Sequence, residues 1–144
     1  MSRNPALRDR AIYPYWARDT VRFSDTDAAG HVNNVSICAW LETGRLTFIR
    51  HIGLMDRRKP LRGISAGLNV SFLRESHWPG EVEIGCGILS IGRSSLVVAG
   101  GVFRGEDCIA TAEMPVVQLK GNDPWPYDED AKRELEPWKI REQK

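Results

Sequence analysis

Residues 34–54 read NVSICAWLETGRLTFIRHIGL, and no other segment limits the fold of this chain as strongly. Apolar side chains at Val35, Cys38, Leu41, Phe48, Ile49 and Ile52 recur at helical spacing. Ile37, Ala39, Trp40 and Leu46 widen that stripe until the first half is apolar almost all round. A helix of this kind has to be sheathed by other structure on most sides. Asn33 or Asn34 can cap its start, and Gly53 is placed to end it. Gly44, in mid-helix, costs about 1 kcal/mol against alanine, which marks a close contact there.

What could sheathe it is strand-like. Trp16 to Ser24 reads as a short strand before the helix. After it, ISAGLNVSF alternates, with Ile64, Ala66, Leu68, Val70 and Phe72 expected on one face. EVEIGCGIL repeats the pattern with Val82, Ile84, Cys86 and Ile88, and SSLVVAGGVF and CIATAEMPVV follow. The turns HWPG, IGRS and RGED join these runs as antiparallel neighbours. A five-stranded antiparallel sheet hides one long helix only by curling round it, which is an α+β layout.

The 144 residues suit a single domain over 1–144, with its core at about 16–119. Residues 1–14 read as a lead-in packed on the surface. Residues 120–144 read as a proline-rich linker ending in a short charged helix. Twenty basic against nineteen acidic side chains leave a net charge of +1, so nothing argues for nucleic acid or an anionic membrane as partner. The polar first residues resemble no signal peptide, and no apolar run approaches a membrane span. Cys38, Cys86 and Cys108 each sit in an apolar pattern without zinc-site spacing, and read as reduced buried thiols of a cytoplasmic protein.

Between the first strand and the helix stands DTDAAGHVNN, residues 25–34. Asp27 reads either as a loop or capping carboxylate or as a group that does chemistry; Asp25 reads as turn architecture. Two carboxylates without further ligands are too few for a divalent metal, and none is expected. His31 either lines a site or satisfies the loop backbone. Asn33 reads as a loop former with a substrate contact, and Asn34 as the cap. Glu42 reads as a buried carboxylate, either paired with Arg45 or part of a site wall.

The order of strand, DTDAAGHVNN, long helix with WLETGR and four strands with IGRSS between the third and fourth resembles the hotdog-fold acyl-CoA thioesterases of the 4-hydroxybenzoyl-CoA thioesterase type. The resemblance covers roughly residues 16–119. It is sharpest at Asp27, Gly30, His31, Val32, Asn33 and Asn34. It implies a helix wrapped by its sheet, dimers joined edge to edge and dimers of dimers, with sites at the dimer interface. It implies that Asp27 is the catalytic carboxylate and the Asn34 backbone amide the donor to the carbonyl oxygen. Where this chain has Ile37, many such proteins carry an aromatic residue, usually tyrosine.

The chemistry so implied needs few groups. A thiolate leaves readily, since a free thiol has a pKa of about 8.5. Asp27 could attack the thioester carbonyl to give a mixed anhydride, or activate a water as general base, sharpened by desolvation beside the helix. Helix-start N–H groups favour the developing oxyanion. No cofactor is required. Arg93 with Ser94 and Ser95, or Arg57, Arg58 and Lys59, would meet the phosphates of coenzyme A. The substrate is then an acyl-CoA or the thioester of an acyl carrier protein. The competing expectations are an enoyl-thioester hydratase or dehydratase using Asp27 and His31, and a non-catalytic acyl-thioester binder.

Overall fold

The computed structural model describes residues 4–54 and 60–141. Arg57, Arg58 and Lys59 lie outside the described residues. The elements in chain order are β1 (Tyr15–Val21), α1 (Asn34–His51), β2 (Leu61–Ser65), β3 (Asn69–Phe72), β4 (Gly80–Ile91), β5 (Ser95–Arg104), β6 (Asp107–Lys120), β7 (Asp123–Pro124) and α2 (Glu129–Leu135). The sheet runs β1-β4-β5-β6-β2, with β3 and β7 also on β6, and every strand pair is antiparallel. Since β2 and β3 are two halves of one broken strand, this is the expected five-stranded sheet with a two-residue addition. The 18 residues of α1, about 27 Å of helix, pack against β1, β4, β5 and β6. The expected hotdog arrangement is present.

Packing explains the details. Trp40, Leu41, Phe48 and Ile49 of α1 meet Val82, Ile84, Cys86, Ile88, Val98, Val102 and Met114 of the sheet in one buried cluster. Gly44 is the close contact its position promised. A β-carbon there would lie 3.1 Å from Ile84 Cβ and 3.4 Å from Cys86 Sγ, and nearer still to Ile84 Cγ2.

Two expectations need correction. The helix is not sheathed all round within one chain: Val35, Ala39, Glu42 and Leu46 share an exposed face, while Ile37, Trp40, Leu41, Gly44 and Phe48 are buried. The run ISAGLNVSF does not keep one face either. Ser65 pairs with Val116 and Asn69 with Glu113, so four residues pass three on β6. That one-residue bulge reverses the alternation, leaving Val70 and Phe72 on the helix side and Ile64 on the other.

The lead-in forms a second small core on the sheet's outer face. Short 3₁₀ turns at Pro5–Arg8 and Arg10–Ile12 bring Leu7, Ile12 and Tyr13 against Ala99 and Phe103. The Tyr13 hydroxyl donates to the Leu7 carbonyl at 2.5 Å, and Gly85 and Gly101 leave room for its ring. The tail returns along the sheet and carries the short helix α2. Trp138 then packs edge-on against Phe48 and His51. Of the cysteines only Cys86 is buried; Cys38 and Cys108 are half-buried, and all three are free thiols.

Candidate active site

The segment between β1 and α1 folds into a tight, closed loop. The Asp25 carboxylate accepts the Arg22 N–H at 2.7 Å, and the Asp25 carbonyl accepts the Asn33 N–H at 2.8 Å. Asp25 is therefore architecture. Inside that frame, the Asp27 N–H donates to the His31 carbonyl at 3.1 Å, and the Gly30 N–H donates to the Asp27 carbonyl at 3.0 Å. Gly30 takes φ +86°, a conformation that glycine adopts at no steric cost. The Asp27 carboxylate accepts the Ala29 N–H at 2.9 Å through Oδ1, and its side chain is half-buried.

The cap of α1 is Asn33, not Asn34. Its Oδ1 accepts the Val35 N–H at 2.9 Å, and its carbonyl accepts the Ser36 and Ile37 N–H groups at 3.0 and 3.3 Å. A helix leaves its first N–H groups without partners inside the helix. Here Asn33 takes up those that follow Asn34, and the Asn34 N–H itself has no acceptor among the described residues. It stands at the positive end of an 18-residue helix dipole, on an exposed residue.

Beside that amide runs an open groove lined by His31, Asn34, Ile37, Phe72, Arg74 and Glu75 among others. The His31 ring sits 3.2 Å from the Val32 carbonyl through Nδ1 and 3.8 Å from the Glu75 carboxylate through Nε2. It approaches Glu75 at more than hydrogen-bond distance and makes no hydrogen bond with Asp27. The Asp27 side chain, on the same loop, does not line this groove. Phe72, Arg74 and Glu75 escaped sequence reasoning. The bulge hid the direction of Phe72, and the other two stand in a segment without periodicity.

Other sequence-chosen residues lie elsewhere in the chain. Glu42 is exposed, because it falls on the outward face of α1. Arg45 is buried and donates to Ser65 Oγ at 2.7 Å, so the Glu42–Arg45 pair, one of the two alternatives for Glu42, does not form. Arg93 and Ser94 occupy the β4–β5 turn, and Ser95 is the first residue of β5. The loop at Val32 is bonded to Ser76, just before β4, and the twelve residues of β4 span about 40 Å. One chain thus holds Arg93 and Asp27 toward opposite ends of its sheet. Among the described residues, no three His, Cys, Asp or Glu side chains gather as a metal site would need. No helix among them is long and apolar enough to cross a membrane.

Against known proteins, the family model of the thioesterase-like superfamily matches residues 21–135. Protein YsmA of Bacillus subtilis strain 168 is 28% identical over 109 residues, which is 74% of either chain. A thioesterase from Thermus thermophilus, solved with coenzyme A and Zn, is 27% identical with a TM-score of 0.73; the match covers 86% of this chain and 93% of that one. A predicted thioesterase from Bacillus stearothermophilus has the same fold, with a TM-score of 0.78 at 22% identity over 90% and 98% of the two chains.

Proposed function

The chain belongs to the thioesterase-like superfamily, and from that premise we propose that it hydrolyses an acyl-CoA thioester to the free acid and coenzyme A. The observation that carries this reading is the Asn34 N–H, without an acceptor among the described residues, beside a groove of mixed apolar and polar lining, on the same loop as Asp27. The thioester carbonyl oxygen would accept from the Asn34 N–H, where backbone donors stabilise the tetrahedral oxyanion. Asp27 still has Oδ2 for chemistry while Oδ1 holds the turn. It acts either as nucleophile, giving an anhydride that water opens, or as general base toward a water. His31 and Asn33 would flank the reacting group, with the Glu75 carboxylate 3.8 Å from His31 Nε2.

The groove is open on one side in a single chain, and the apolar residues Val35, Leu68 and Phe72 are exposed. A second copy joined edge to edge would cover them and bring its own Arg93, Ser94 and Ser95 toward the groove, where their donors suit phosphate. Arg93 therefore serves this site across the interface or not at all. Glu42, exposed on α1, meets substrate only by the same route. We place the whole reading in one domain over residues 1–144 of a soluble homodimer, or a dimer of dimers, in the cytoplasm.

The test is free-thiol release across short, long and aromatic acyl-CoAs and an acyl carrier protein thioester. Turnover of at least one acyl-CoA is the expected result. Loss of the alkene of crotonyl-CoA without thiol release would instead point to a hydratase. Tight binding with no turnover on the whole panel would point to a binding module.

A further inference from the structure

A series of contacts runs from the end of β5 to the start of α1. Arg104 is the last residue of β5. Its Nη1 donates to Ser76 Oγ at 3.1 Å and to the His77 carbonyl, and its Nη2 donates to the Pro79 carbonyl at 2.9 Å. Ser76 is 2% exposed, and its own carbonyl accepts the Val32 N–H at 2.7 Å. Asn34 follows two residues later. At Gly80, a β-carbon would lie 2.9 Å from the guanidinium carbon, so a side chain there would push the arginine off this path.

We infer that Arg104 is a positioning residue for the thioester site: it fixes the 76–79 segment, and through the Ser76 carbonyl the start of α1 and its Asn34 N–H. The inference rests on the reading of that amide as the oxyanion donor. Residues 75–79 belong to no strand, so no ladder of backbone bonds holds them. The guanidinium supplies what the ladder lacks, a rigid fork of donors reaching three acceptors at once. A lysine at that place keeps the charge but not the fork. Misplacing a donor by about 1 Å costs on the order of 10²-fold in rate without touching substrate affinity in proportion.

The experiment uses the full chain as Arg104→Met, Arg104→Lys and Ser76→Ala. It reads kcat and KM for an acyl-CoA that the unsubstituted enzyme turns over, together with amide hydrogen exchange at Val32 and along β4. Arg104→Met should lower kcat about 10- to 100-fold with KM within about threefold. The Val32 amide should lose protection while the β4 amides keep theirs. Arg104→Lys should recover part of kcat, and Ser76→Ala should lose less than Arg104→Met. If Arg104→Met does not fold, the other two variants carry the same comparison. A Val32 amide still protected in the variants, or a kcat per folded molecule that does not change, overturns the inference. Asp27→Asn run in parallel separates the two failures: full turnover there overturns the reading of the site, whereas an inactive Asp27→Asn beside unaffected Arg104 variants overturns only the role of Arg104.

Discussion

Asp27 accepts the Ala29 N–H at 2.9 Å, so the carboxylate proposed to do the chemistry also holds the turn that presents it. An asparagine keeps that acceptor and removes the charge; an alanine removes both. Asp27→Asn should therefore melt within about 1 °C of the unsubstituted protein. Asp27→Ala should lose about 1 kcal/mol, or roughly 2–4 °C for a chain of this size. Thermal melts of the two variants check this, and equal melting temperatures would remove the turn from the role of Asp27.

The two asparagines divide the work at the helix start. Asn33 caps with its side chain, while the Asn34 side chain makes no hydrogen bond among the described residues, and Asn34 is proposed to act through its backbone N–H. Asn33→Ala should cost about 1 kcal/mol of stability. Asn34→Ala should stay within about 0.5 kcal/mol and keep most of its turnover, since the backbone donor is untouched. Urea melts together with thiol release separate these outcomes.

Gly44 is a close contact between helix and sheet. Alanine gains about 1 kcal/mol of helix propensity, but the added carbon runs into Ile84. Overpacking of this kind costs about 1–3 kcal/mol, so Gly44→Ala should be destabilising on balance. Paired with Ile84→Ala, which opens the space, its own effect should turn stabilising. A double-mutant cycle read by denaturant unfolding tests that reversal of sign.

Burial sets an alkaline limit on stability. It pushes the Cys86 thiol from 9.0 up to about 12, against a smaller opposing pull from Arg45, and the Cys108 thiol up to about 11. Burial also raises the Tyr127 hydroxyl to about 12 and pushes Tyr13 upward. In each case the folded form stays protonated while the unfolded chain ionises. Their contribution is thus full below pH 9 and falls as pH rises from about 9 toward 12. Melting temperature should drop over that range, and more gently in Cys86→Ala. A slope unchanged by that substitution would remove Cys86 as a cause.

Much of the fold was legible because its signals are local. The helical spacing around Trp40, Leu41 and Phe48, and the alternation of Val82 to Ile88, each follow from one element's own periodicity. The reversal at residues 65–69 was not legible, since a bulge depends on which β6 residues lie opposite. Glu42 was misplaced for a related reason. Apolar residues on both sides of α1 suggested burial all round, yet one chain covers a single face. The motif points to Asp27 and the Asn34 amide as candidates, but Arg74 and Glu75 come to the groove, and Arg104 to Ser76, only through contacts distant in sequence.

The most direct measurement is kcat for thiol release by Asp27→Asn on an acyl-CoA that the unsubstituted enzyme hydrolyses. Loss of the nucleophile or general base should lower it by about 10²- to 10⁴-fold, with the melting temperature preserved. Turnover close to that of the unsubstituted enzyme would contradict the assignment of the chemistry to Asp27.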